Sequence, residues 1–478
     1  MDRGAVGCPL RKYGPELIAQ ALTRLGGPSP GDRIASVPGR AGSRVATLEA
    51  AVDFSAMIFI RGARQLVTLR GPALARRGMQ LRELGVIPDG ALLIDGEEIR
   101  EVGTTRRIEN LAATRSANVI DATGKVILPG FVDSHTRLVL ASLPLGPPDE
   151  GLLGASAASR PAPYLPSMLR SGSPGALRNR CRGWARWFAS HGTTTLEIRS
   201  GTLEIRSGFG LDLQSEIVAL RAARRLDGDP LEVNCAFLAS GPDPYRGPPA
   251  AADVGQVIDV LLPIIRRRRL AAVCAVECGP GAFSAEQARQ ILAAAQALPF
   301  SLRVQGDRQT HCGVARLAVE MGALSAEHLQ RITDAEIDVL GSAATIATLL
   351  PGVVYAEGGD RHAPARRLID RGAAISLATG FGPASPTLSM PMVLSLACRE
   401  MKLSAEEAIV AATLNAAAAM GRAERLGSLE PGKQADLAMF DVRDYREIPY
   451  YFGFNLCIMT MKKGRVIYRA PGMETLKP

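Results

Sequence analysis

From Val126 onward the chain alternates short apolar stretches with longer runs whose apolar residues recur every three or four positions. The stretches VILPGFVDSH, TTTLEI, LEVNCAFLA, AVCAVEC, FSLRVQG, TIATLL and AAISLAT read as strands. The runs LQSEIVALRAARRL, SAEQARQILAAAQAL and CGVARLAVEMGA read as one-sided helices. Strands alternating with helices build a parallel sheet, because each helix carries the chain back to begin the next strand in the same direction. A barrel fits this length better than an open sheet, so the expected fold is α/β, a (β/α)8 TIM-type barrel.

The pattern differs at both ends. Met57 opens a β-rich segment, MIFIRGARQLVTL and then GALLIDGEEIREVG, in which residues 91–94 and 99–102 predict a hairpin about a turn at Asp95 and Gly96. The end of the chain, SLEPGKQADLAMFDVRDY and IMTMKKGRVIY, returns to strand-and-turn texture. Residues 57–128 and 426–478 are therefore expected to form one small flanking β-sandwich domain beside a barrel spanning 129–425. Residues 1–56 mix Gly, Pro, Arg and Ser with short apolar stretches. They read either as a mobile extension or as sequence upstream of a true start at Met57. Residues 144–175, rich in Pro, Gly, Ser and Ala, read as a long disordered excursion where a barrel enzyme places an active-site loop.

Composition narrows the classes. A chain that is 47% hydrophobic and 22% charged is an ordinary globular protein. It has no apolar run of bilayer length and no secretory leader, which points to the cytoplasm and away from a membrane partner. Eight scattered cysteines, with Cys274 and Cys278 the one close pair, lack the second pair of a zinc site and read as reduced and structural. The net charge of +9 comes from dispersed arginines. Their one block, residues 266–269, follows VIDVLLPII as the solvated end of a helix. No aromatics interleave with it, so a nucleic-acid partner is not expected.

The stretch GKVILPGFVDSHTRL, residues 124–138, resembles the amidohydrolase signature, in which the first barrel strand ends in His-x-His. HGTTTLEIRSG, GFGLDLQSEI, GAFSAEQARQIL, GALSAEHL, SPTLSMPMVLSLAC and LGSLEPGKQADL follow in order. Together they resemble the imidazolonepropionase family from about residue 57 to 470. That resemblance implies hydrolysis of the ring C–N bond of 4-imidazolone-5-propanoate, a step of histidine degradation. It also implies one zinc or iron ion that makes hydroxide available near neutral pH, a carboxylate that handles the proton, and often a homodimer.

Position by position, the site that the resemblance implies is largely replaced. His135 keeps the first metal histidine, but the second falls at Arg137. The family's His-Ala-Asp-Glu core reads Gln305, Gly306, Asp307, Arg308, so a metal histidine becomes Gln305 and the catalytic glutamate becomes Arg308. The metal aspartate falls at Gly380, and the substrate-contacting Asn, Tyr and His fall at Gly382, Phe209 and Gly241. Among polar site positions only His135, Asp307 and His328 are kept. A guanidinium about 4 Å from a dication costs on the order of 8 kcal/mol at an effective dielectric near 20. No bound metal cofactor is therefore expected. TLEIRSG also occurs twice in tandem, at 195–201 and 202–208, where the family has one copy. Seven extra residues within a strand would reverse its inward face, so a loop at the strand's end is expected.

The reading that follows is an imidazolonepropionase-like homologue that is inactive or strongly impaired. Two alternatives stay open: a scaffold or binder holding a small anionic ligand through Arg137 and Arg308, and a hydrolase with metal-independent chemistry using Asp307, His328 or the new arginines on an anionic substrate. The ordinary roles expected of the kept residues are a hydrogen-bonded structural His135, a His328 at a helix start, and a local Asp307–Arg308 ion pair. His191, His311 and His362 match no family site.

Overall fold

The structure, a computed structural model, describes residues 57–143, 173–200, 213–240, 251–383 and 385–471. The extension 1–56, most of the 144–175 excursion, Phe209, Gly241 and the second TLEIRSG copy lie outside the described residues.

The strands among the described residues form two eight-stranded sheets. The first draws on both ends: β1 (Ile58–Val67), β2 (Val86–Asp95), β3 (Glu98–Thr104), β4 (Asn118–Asp121) and β5 (Val126–Pro129). They are joined by β14 (Leu437–Phe440), β15 (Cys457–Lys462) and β16 (Arg465–Arg469), with β5 pairing antiparallel to β14 and so stitching the two ends together. Ile60, Leu66, Leu92, Ile94, Ile127, Leu437, Met439, Met459 and Met461 share one buried cluster, the core of this flanking domain. The β2–β3 hairpin forms as expected, shifted by one residue. Asp95 still pairs with Glu98, so the loop is Gly96–Glu97, and Gly96 supplies the positive φ that a two-residue loop needs.

The second sheet is parallel and runs in strict chain order. Its strands are β6 (Phe131–Thr136), β7 (Thr193–Arg199), β8 (Glu232–Ala239), β9 (Val273–Glu277), β10 (Ser301–Gly306), β11 (Ser325–His328), β12 (Ile346–Leu349) and β13 (Ile375–Leu377). This is the expected (β/α)8 barrel. Its first and last strands are joined at the C-terminal end, where Arg137 N donates to Phe381 O (2.7 Å) and Gly380 N to His135 O (3.1 Å). The expected strand VILPGFVDSH is two strands in different sheets, divided at Gly130. A Cβ there would stand 2.2 Å from Thr194 Cγ2, so only glycine lets the chain pass this close to β7.

The sixth barrel strand, β11 (Ser325–His328), falls where the sequence reads as the start of a helix. It is instead a buried strand, and His328 ends it in the left-handed region at φ 74°. The arginine block does end a helix, Leu262–Arg267. The described cysteines are all free. Among the described residues no helix is long and apolar enough to cross a membrane.

Candidate active site at the barrel mouth

Side chains alternate in and out along a strand, so residues two apart share the barrel interior. In most barrels that interior is apolar. Here β6 contributes Asp133 and His135, β7 Glu197 and Arg199, β10 Arg303 and Gln305, and β11 Ser325 and Glu327, all buried.

Arg199 is the hub. Its guanidinium donates to both oxygens of Glu327 (2.5 and 2.7 Å), to Glu197 Oε1 (3.0 and 3.3 Å), to Gln305 Oε1 (3.0 Å) and to the Ser134 carbonyl (3.2 Å). Glu197 Oε2 in turn accepts from Arg303 (2.6 Å) and Asn234 (3.0 Å), and Glu327 Oε1 accepts from Ser325 Oγ (2.7 Å). Two cations and two anions with fully buried side chains thus balance one another. Burial raises the cost of ionising Glu327, but Arg199 and then His135 hold its carboxyl well below the usual range.

His135 sits directly above this hub. Its Nδ1 lies 2.8 Å from Glu327 Oε2, and its ring meets that of His328 edge-on with centroids 5.5 Å apart. Burial, and then the nearby Arg199 charge, push the His135 imidazole down to about 3. It is neutral at any ordinary pH. His328 is likewise pushed far down, first by burial and then by Arg308, and its buried Nδ1 has no hydrogen-bond partner. Beneath them Asp133 accepts from Thr379 Oγ1 (2.5 Å), Thr379 N (3.2 Å) and His135 N (3.3 Å), fastening β6 to the end of β13. Burial raises its carboxyl to about 6 despite those bonds.

The replaced positions do converge here. Gln305 turns its oxygen to Arg199 and leaves its buried Nε2 without a partner. Arg137 lies 3.6 Å from Glu277. Arg308 pairs with Glu357, which corrects the expected Asp307–Arg308 pair, since Asp307 Oδ1 accepts instead from Cys312 N (2.5 Å). Gly380 is left-handed at φ 67°, and a Cβ there would stand 2.3 Å from Val353 Cγ2 and 2.9 Å from Leu350 Cδ2. Apolar side chains have closed over the position the resemblance gives to a metal aspartate. Gly382 lies against Arg137, whose Cβ is 3.4 Å from the Cβ position.

His191 Nδ1 lies 2.9 Å from the Trp187 carbonyl oxygen, and His311 pairs with buried Glu336 (2.6 Å). Sequence reading missed Asp133, Glu197, Arg199, Arg303 and Glu327. The available signal was a polar or charged residue at every second position of these strands, as at Glu197 and Arg199 in β7 and Arg303 and Gln305 in β10.

Comparison with known proteins agrees with this architecture. Residues 325–467 match the Amidohydrolase family. An imidazolonepropionase of Solibacter usitatus is 40% identical over 415 residues, covering 85% of this chain and 97% of that protein. One from Geobacillus kaustophilus is 38% identical over 429 residues, covering 86% and 97%. Among solved structures, a triazine hydrolase variant superposes with a TM-score of 0.67 at 20% identity, covering 87% of this chain and 95% of that one. Escherichia coli guanine deaminase gives 0.64 at 17% identity, covering 87% and 99%.

Proposed function

The chain belongs to the imidazolonepropionase family of amidohydrolases, and from that premise we propose that it keeps the family barrel but is inactive, or strongly impaired, in metal-dependent hydrolysis of 4-imidazolone-5-propanoate. The observation that carries this reading is the state of the four positions a metal would need. His135 offers one imidazole nitrogen. Gln305 gives its oxygen to a buried guanidinium, Arg137 brings a cation, and Gly380 is packed against Val353 and Leu350.

The residues present do not fit a zinc or iron ion at this place. An ion of that class takes three or more protein ligands from His, Cys, Asp or Glu. Among the described residues, His135 belongs to no group of three such side chains close enough to share one. Burial disfavours positive charge at His135, and the Arg199 and Arg137 charges oppose a dication there, while the one close carboxylate, Glu327, is already committed to Arg199. The proton-handling carboxylate is replaced by Arg308, whose side chain is tied to Glu357. Neither His135 nor His328 is poised to act as a base near neutral pH, which weighs against metal-independent hydrolysis.

The test is turnover. The full chain, supplied with zinc or ferrous iron, is assayed on 4-imidazolone-5-propanoate beside the Solibacter usitatus relative. Hydrolysis indistinguishable from buffer is expected. Turnover at about 1 s⁻¹ or faster, the ordinary enzyme range, would overturn the reading.

A second reading has its own support. Arg137 lies 3.6 Å from Glu277, and Arg308, paired with Glu357, is close enough to feel both charges, so two guanidinium groups gather at the mouth. A small carboxylate or phosphate matches that arrangement, and the protein would then serve as an anion binder or scaffold.

A further inference from the structure

One cluster at the rim uses none of the positions that the family resemblance assigns to a metal. The loop following β10 and the first turn of the helix Asp334–Ser342 bring together Asp307, His311 and Glu336, with ligand atoms that all lie within 4.8 Å of one another. Both carboxylates are buried, Asp307 at 1% and Glu336 at 2% exposure, and each has one oxygen fixed by the protein. Asp307 Oδ1 accepts from Cys312 N (2.5 Å). Glu336 Oε2 accepts from Thr333 N (3.2 Å) and Thr333 Oγ1 (3.0 Å), and lies 2.6 Å from His311 Nε2. The other oxygen of each, Asp307 Oδ2 and Glu336 Oε1, is buried with no hydrogen-bond partner.

A lone buried carboxylate oxygen is costly, and two in one cluster are more so. The strain is visible in Asp307, whose carboxyl is raised first by burial and then, among charges, by Glu336. His311 is the one basic side chain in this cluster, set against two carboxylates. A dication neutralises both and gives the bare oxygens a partner.

We propose that Asp307, His311 and Glu336 form a divalent transition-metal site, separate from the family's metal position, with water in the fourth place. One imidazole and two carboxylates are a zinc-type donor set, whereas magnesium favours octahedral oxygen shells that keep several waters. A tetrahedral ion with ligands at about 2.0–2.2 Å holds its donors roughly 3.4 Å apart. The approach falls to His311, which is half exposed, while Cys312 N and Thr333 hold the carboxylates as outer-shell partners. The ion would bolt the loop after β10 to the helix Asp334–Ser342.

The test uses the full chain, stripped with a chelator, and zinc as the probe, with affinity read by calorimetry and stoichiometry by elemental analysis. The parent is expected to bind one zinc per chain. His311→Ala and Glu336→Gln should each weaken binding by about 100-fold or more. Glutamine still serves the Thr333 capping box, so that variant keeps the helix start. His135→Ala should leave affinity unchanged. Absence of zinc binding, or affinity unmoved in both His311→Ala and Glu336→Gln, overturns this site alone. Zinc lost in His135→Ala but kept in the other two overturns both this site and the proposed function.

Discussion

Replacing Arg199 with methionine tests the buried charge balance beneath the mouth. The substitution keeps much of the volume and removes every bond the guanidinium makes: two to Glu327, two to Glu197, one to Gln305 and one to the Ser134 carbonyl. Glu197 retains Arg303 and Asn234. Glu327 retains only Ser325 and the neutral His135, and becomes a buried carboxylate without a cation. Breaking one side of a buried pair costs about 3–5 kcal/mol, most of it the stranded charge and not the lost attraction. The double variant Arg199→Met/Glu327→Gln removes both members and should therefore lose less than Arg199→Met alone. Urea unfolding followed by Trp184 fluorescence reads the barrel, because that ring packs 5.3 Å from Phe381. An Arg199→Met midpoint within about 1 kcal/mol of the parent would refute the reasoning. So would a double variant whose loss equals the sum of the two single losses, which would mean no coupling.

Acid should destabilise the fold in a defined window. His135 is neutral in the folded state down to about 3, so between there and its unfolded value near 6.5 the unfolded chain binds a proton that the folded chain does not. His328 adds a second such proton, and Asp133, raised to about 6, subtracts one between about 4 and 6. These three groups net one proton, an acid destabilisation of about 1.4 kcal/mol per unit from pH 6 to about 4 that the lowered His191 and His362 reinforce and the raised Asp307 and Asp436 oppose; a flat urea midpoint across that range would contradict it. Gly380→Asp, the obvious step toward restoring a metal ligand, should cost about 2–4 kcal/mol from overpacking and the left-handed backbone. Val353→Ala should recover part of that loss by removing the contacted methyl, and an unchanged midpoint in Gly380→Asp would show the pocket to be open. Small carboxylates or phosphate should raise the melting midpoint of the parent and not of Arg137→Ala/Arg308→Ala, by mass action; equal shifts in both would remove the anion reading.

The barrel was legible because seven strands carry apolar runs between helices with clear periodicity. The remaining one, β11, was not, because Ser-Ala-Glu-His is short and polar and begins like a helix cap. Its polarity has a structural cause: Ser325 and Glu327 face the barrel interior and serve Arg199 and Arg303. VILPGFVDSH hid its division because nothing in its composition marks Gly130 as the passage between two sheets. The positions that the resemblance assigns to a metal came from resemblance alone. What resemblance could not supply was the partner of each replacement. Gln305 answers to Arg199 and Arg308 to Glu357, and both partners are far away in sequence. His311 was set aside as matching no family site, and its pairing with Glu336 was hidden for a similar reason, the two being 25 residues apart.

The proposal that no metal binds at the family's position is tested most directly by anomalous diffraction at the zinc edge, using crystals of the full chain grown with excess zinc. The expected result is no anomalous peak within ligand distance of the His135 imidazole, about 2.0–2.1 Å. A full-occupancy peak there, with Gln305 released from Arg199 to face it, would contradict the emptied site.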